Sequence, residues 1–352
     1  MRRKLTAAFA VLSMLLLLAG VALVGYFAWK TGANECIFTA VGLVVSLVLA
    51  PILHELGHVW AAKANQMETV RLKCFCLLYQ KEQGKGRVAL VSPFAPDETQ
   101  VMPKTRGNMQ KRAMRYTLGG LWLEGGFCLL FLAAALLLTA FQVQAFAFWG
   151  ALPYCAYLFI LNALPLEYPS GKTDALVYIG LKRGAPAEQN MLSAMEIHGG
   201  LYEGNTFAQM DGDLYFSAPQ LCEDEPLFAV MLDLRYRYFL DKDELERAAD
   251  CLNRLAQAQA YLADEEVEKL AAELVYMHSL NGDKVRADEC GKLCEEYLRS
   301  ECVSTKRALA AYCKAFGGED RVLPLKEQAY GLLEKENCKG LAAWEKKLLE
   351  KI

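Results

Sequence analysis

Four apolar runs, each long enough to cross a lipid bilayer as a helix, lie before residue 167 of this 352-residue chain. They cover residues 7–29, 37–62, 117–140 and 145–166. A hydrocarbon core about 30 Å thick needs roughly 20 apolar residues in helical form. Only "FQVQ" separates the third run from the fourth, and so short a loop makes antiparallel neighbours. The charged residues concentrate after residue 180, so a membrane half followed by a water-soluble half is expected.

Charge then orients the spans. "MRRK" precedes the first, Lys111, Arg112 and Arg115 lie between the second and third, and Lys172, Lys182 and Arg183 follow the fourth. The loop between the first two spans holds one lysine, Lys30, and the loop between the last two holds none. By the positive-inside rule the chain is a multi-pass protein of the cell membrane with both termini cytoplasmic. The first run is too long for a signal-peptide core, and no small-x-small site follows before Lys30, so a retained helix is expected. A net charge of -3 and the lack of a basic stripe argue against a nucleic-acid partner. The cysteines show no secreted disulfide framework and no C-x-x-C pair, so they read as packing thiols.

The second span contains "ILHELGHVW". Three titratable groups in five positions of an apolar run need partners or a function. His54 and His58 share a helix face at a spacing of four and can grip one metal ion, while Glu55 reaches a water beside it. His-Glu-x-x-His is the zinc pattern of metalloproteases, with the glutamate as general base. His54 lies seventeen residues beyond Ile37, about 26 Å along a helix, near the cytoplasmic end of the span. A catalytic zinc takes a third protein ligand and keeps one position open. His198 and His278 lie far along in the soluble half. After the fourth span comes "LNALPLEYPSGKTDALVY", where Pro165 and Pro169 break the helix, Thr173 can cap a new one and Asp174 opens it. Asp174 is the expected third ligand, with Glu167 as the alternative.

With these residues in view, the chain resembles the site-2 protease family of intramembrane zinc metalloproteases over roughly residues 37–180. The resemblance rests on His54-Glu55-Leu56-Gly57-His58, on Asn162-x-x-Pro165 and on a following aspartate. The family's Asp-Gly usually lies about five residues after the proline. Here Ser170-Gly171 holds that spacing and Asp174-Ala175 comes nine after it, as a short insertion would produce. In the third span, "LGGLWLEGG" is similar to the family's glycine-rich helix, with Leu121 and Glu124 where proline and asparagine are usual. The resemblance implies that His54, His58 and Asp174 hold Zn2+, that Glu55 is the base, and that Asn162 binds substrate backbone or supports the oxyanion. Glu124 is either a functional intramembrane acid or, on the plainer reading, a residue near the cytoplasmic headgroups or one paired within the bundle.

Between the second and third spans, "VRLKCFCLLYQ" and "GRVALVS" predict a hairpin joined through "KEQGKG", whose free edge could add an extended substrate strand. Beyond residue 185 the apolar spacing is helical. "ELVYMHSLNGD" and "LAAYCKAFGGE" align at a period near 36, with Tyr276 over Tyr312 and Gly282 over Gly318, similar to tetratricopeptide hairpins that bind partner proteins. A plain helical bundle is the alternative.

The expected architecture is thus an all-α membrane bundle with a small cytoplasmic β-hairpin (residues 1–184), a connector (185–225) and a cytoplasmic helical-repeat domain (226–352). The expected function is hydrolysis of peptide bonds in membrane-tethered substrates near the cytoplasmic face. The rival is a non-proteolytic membrane scaffold with a structural metal site and a partner-binding helical domain.

Overall fold

A computed structural model describes residues 2–82, 85–92, 97–168 and 171–352. The chain is mostly helical and forms two compact units. The first takes Met1–Lys81, Gly86–Met102 and Gln110–Ala185; the second takes Pro186–Ile352 with the short stretches Glu82–Lys85 and Pro103–Met109.

Four helices of the first unit are long and apolar enough to cross a membrane: α1 (Arg2–Thr31, apolar from Thr6), α2 (Ala33–Ala64), α3 (Met109–Ala140) and α4 (Phe146–Ala163). On α1, Leu12, Leu15, Leu16, Leu18 and Leu23 are exposed. So continuous an apolar surface belongs against lipid and associates the chain with a membrane. The helices meet through glycines. A Cβ on Gly42 would stand 1.9 Å from the Ala147 carbonyl oxygen, and one on Gly150 2.2 Å from that of Thr39, so α2 and α4 cross backbone to backbone. A Cβ on Gly57 would stand 2.3 Å from the Gly119 carbonyl oxygen, which makes the α2–α3 crossing equally close. In lipid, where burial of apolar surface gives no gain, such contact supplies the packing.

The loop between α2 and α3 forms more than a hairpin. Strands β1 (Met67–Cys74), β2 (Leu77–Glu82), β3 (Lys85–Leu90) and β4 (Glu98–Pro103) make one sheet in the order β3-β2-β1-β4. The run expected to be one strand turns at Phe75 and Cys76, with Phe75 at φ 52°, and pairs antiparallel with itself, Cys74 opposite Leu77. Gln83 and Gly84 of the expected turn lie outside the described residues. Asp97 steadies the sheet by accepting from Lys73 Nζ at 2.7 Å and from the Phe75 backbone at 2.8 Å.

Beyond α4, β5 (Glu167–Tyr168) and β6 (Gly171–Lys172) pair antiparallel and lead into α5 (Asp174–Arg183). Of the two helix-breaking prolines, Pro165 follows the end of α4, and Pro169 lies outside the described residues, as does Ser170.

The expected connector at 185–225 is, from Pro186 on, part of the second unit and its core. Residues Pro186–Glu203 form α6, and Ile197, Leu201, Phe207 and Tyr215 are buried in the core of the second unit. Its glycines read as loop, but Gly199 lets the helix approach a backbone: a Cβ there would stand 2.7 Å from the Thr105 carbonyl oxygen. The core continues through α7 (Asp213–Phe216), α8 (Pro226–Asp241), α9 (Leu245–Gln257), α10 (Asp264–Leu280), α13 (Val303–Phe316) and α15 (Lys339–Lys351), with α12 (Glu295–Leu298) packed against it. Helices α10 and α11 (Lys284–Leu293) form one hairpin, and α13 and α14 (Glu319–Leu333) another. Gly282 and Gly318 occupy the two inter-helix turns, both at positive φ. All twelve cysteines are free thiols.

Candidate metal centre

The site begins with the register of α2. His54 and His58 lie one turn apart, and their Nε2 atoms stand 3.2 Å from each other. Each ring is fixed from behind through its other nitrogen. His54 Nδ1 donates to Glu124 Oε2 of α3 at 2.9 Å, and His58 Nδ1 donates to the Tyr116 carbonyl of α3 at 3.0 Å. With both Nδ1 atoms protonated, the neutral rings turn Nε2 lone pairs toward one another.

Asp174 arrives from a different part of the chain. Thr173 caps α5, and its hydroxyl donates to the Leu164 carbonyl at 2.7 Å, while its backbone N–H donates to the Leu166 carbonyl at 3.0 Å. These bonds close the β5–β6 excursion and return Asp174, the first residue of α5, to the end of α4. The nine-residue spacing after Pro165 is thus taken up by a short hairpin. Asp174 Oδ2 stands 3.2 Å from both Nε2 atoms. It is buried and takes no hydrogen bond.

The three atoms form a triangle of equal 3.2 Å sides, and His54, His58 and Asp174 are the group among the described residues that could hold a metal ion. Ligands at about 2.0 Å around a tetrahedral zinc lie about 3.3 Å apart, so the triangle has the size of one face of that tetrahedron. Gly120 of α3 keeps space in front of it: a Cβ there would stand 2.6 Å from His58 Nε2 and 2.9 Å from His54 Nε2.

Glu55 is buried beside the two histidines. Its Oε2 accepts from the Thr99 hydroxyl of β4 at 2.5 Å, and its Oε1 takes no hydrogen bond among the described residues. Glu124, 2 % exposed, is joined to His54, and its second oxygen, Oε1, is buried without a partner. Of the readings expected for this acid, the pairing within the bundle is present, and the partner is a candidate metal ligand.

The remaining expected residues fall elsewhere. Asn162 lies in the last turn of α4, half-buried, with no side-chain hydrogen bond among the described residues. Glu167 is exposed on β5. His198 on α6 and His278 on α10 belong to the second unit. Thr99 and Tyr116 went unnoticed in the sequence. Nothing in "ETQVMP" marks a threonine that reaches a glutamate 44 positions earlier.

No family model, curated protein or solved structure matches the chain.

Proposed function

We propose that the chain is an intramembrane zinc metalloendopeptidase of the site-2 protease kind, acting on membrane-tethered proteins at the cytoplasmic face. The observation that carries this reading is the equal-sided triangle of His54 Nε2, His58 Nε2 and Asp174 Oδ2, with Glu55 beside it. A zinc ion there would act as a Lewis acid and lower the pKa of a bound water toward about 7. Glu55, through Oε1, takes a proton from the attacking water as its oxygen bonds to the scissile carbonyl carbon. Glu55 then passes that proton to the amide nitrogen, the C–N bond breaks, the second proton of the water follows to the amine, and the products leave as a carboxylate and an ammonium. Glu124 and the Tyr116 carbonyl hold the two imidazoles in the tautomer that presents Nε2. Asn162, near the end of α4, is the residue to bind substrate backbone or oxyanion.

In this reading α1–α4 cross the bilayer four times with both termini inside. The sheet supplies the substrate platform. Its outer strands, β3 and β4, each have one neighbour, and β4 carries Thr99 next to Glu55. An extended segment adding to β4 would expose a peptide bond that a helical substrate hides. The α10–α11 and α13–α14 hairpins, each turning through a glycine at positive φ, support a tetratricopeptide-like partner-binding role for the second unit.

The rival scaffold reading keeps the metal and drops the chemistry. Glu55, buried with one oxygen free of hydrogen bonds, favours the protease, because a structural metal site has no use for a base. The deciding experiment compares membrane proteomes of cells carrying the wild type and Glu55→Gln, with zinc content measured on both purified proteins. We expect one bound zinc in each, and single-span fragments present only with the wild type. Zinc retained by both with identical fragment patterns would leave the scaffold.

A further inference from the structure

A ring of contacts ties the base to α3 and β4 as well as to its own helix. His58 Nδ1 donates to the Tyr116 carbonyl at 3.0 Å. The Tyr116 hydroxyl donates to the Thr99 carbonyl. The Thr99 hydroxyl donates to Glu55 Oε2 at 2.5 Å. Glu55 and His58 lie three residues apart on α2, which closes the ring through α2, α3 and β4.

We propose that Thr99 and Tyr116 are positioning residues for Glu55, with Thr99 acting on the carboxylate directly and Tyr116 acting through Thr99. This rests on the hydrolase reading above. A glutamate side chain has several soft torsions, and its carboxylate rotates about a broad terminal one. Fixing Oε2 to a hydroxyl removes that freedom and leaves Oε1 as the oxygen free to take a proton. Threonine suits the task because its branched Cβ stiffens χ1. The Thr99 hydroxyl holds Glu55 only as firmly as the Thr99 backbone is itself held. The Tyr116 hydroxyl supplies that hold at the carbonyl, and its ring packs on His58 at a centroid distance of 5.2 Å. One candidate ligand, His58, and the base are thereby placed by one loop of bonds. Because that loop runs through β4, the strand proposed to seat the substrate also aligns the base.

Zinc-loaded full-length wild type, Thr99→Val, Thr99→Ser, Tyr116→Phe and the Thr99→Val/Tyr116→Phe double variant are assayed on one single-span reporter, with kcat and KM separated and bound zinc measured. Thr99→Val is expected to lower kcat roughly 10- to 100-fold, the scale of a 1 Å misplacement, with KM within about twofold and one zinc retained. Thr99→Ser keeps the hydroxyl and should return kcat to within about threefold of wild type. Tyr116→Phe keeps the ring and the backbone carbonyl and should cost about 3- to 10-fold; the double variant should be no worse than Thr99→Val, because both changes act on one carboxylate. Wild-type kcat in Thr99→Val, loss of zinc from it, failure of Thr99→Ser to restore, or fully multiplicative penalties would each overturn the proposal. A wild type that cleaves no reporter removes the hydrolase reading and this inference with it, whereas a cleaving wild type indifferent to Thr99 removes the inference alone.

Discussion

Each unit buries a cluster of charged and titratable side chains, and the two clusters are built on opposite rules. In the second unit Arg307, fully buried, donates through Nε to Glu345 at 2.7 Å and through Nη2 to Glu273 at 2.7 and 3.0 Å. The Tyr236 hydroxyl adds a bond to Glu273, and the Tyr276 ring lies 4.2 Å from the guanidinium. Burial would raise the Glu273 carboxyl, but the Arg307 and Arg237 guanidiniums outweigh it and hold it below the usual carboxylate range. The carboxylates there meet donors and the charges largely cancel, although Arg307 Nη1 and the Trp344 indole N–H are buried without a hydrogen-bond acceptor. In the first unit, His54, His58 and Asp174 turn three lone pairs toward one point, and Asp174 Oδ2 and Glu124 Oε1 are left unbonded. Polar groups in an interior carry a desolvation cost unless they are paired. The Arg307 cluster meets most of it internally, whereas the His54, His58 and Asp174 group leaves acceptors that a cation could satisfy. A paired buried network is a structural element, whereas converging unpaired acceptors mark a binding site.

Selective damage tests this contrast. The largest effect belongs to His58→Ala, which leaves two donors and should lower zinc affinity by at least about 10³-fold without changing amide hydrogen exchange in α10, α13 and α15. Arg307→Ala is the mirror image. Removing one partner of a buried ion pair costs about 3–5 kcal/mol, so exchange in α10, α13 and α15 should accelerate while zinc binding stays at the wild-type level. A milder change, Glu124→Ala, should weaken zinc binding about 10- to 100-fold, the usual scale for losing a partner behind a ligating histidine. Smallest is Glu124→Gln, which keeps an acceptor for His54 Nδ1 and should lose less than about 10-fold, read by competition with a fluorescent chelator. If Glu124→Ala left zinc affinity intact, the carboxylate would be a packing residue and the two clusters would differ less than they look.

The parts of this picture that could be read from the sequence are those written locally. An apolar run over 20 residues long announces a spanning helix whatever surrounds it. His54, Glu55 and His58 belong to one helix, so their spacing alone gives their mutual arrangement. Features made by pairing were hidden. Strand β4 was missed because Glu98, Gln100 and Pro103 give it the composition of a loop, and only its place beside β1 makes it a strand. The turn at Phe75 was missed because it lacks glycine and sits between equally apolar arms. Residues 185–225 read as a connector because glycine usually interrupts helices. Gly199 instead sits inside α6, where the bare backbone makes room for Thr105. The spacing of Asp174 reads as a short insertion, but sequence separation does not record that the insertion is a hairpin that leaves and returns.

That hairpin bears on how such sites diversify. Its stem is anchored by the Thr173 bonds to Leu164 and Leu166, so the acid's location depends on the anchor and scarcely on the length of the excursion. Doubling a flexible excursion costs only about 0.6 kcal/mol. Chains with quite different numbers of residues between the helix-ending proline and the aspartate could therefore assemble the same three donors. A search for relatives would do better to seek a capping threonine immediately before the acid than to fix the count of residues that precede it.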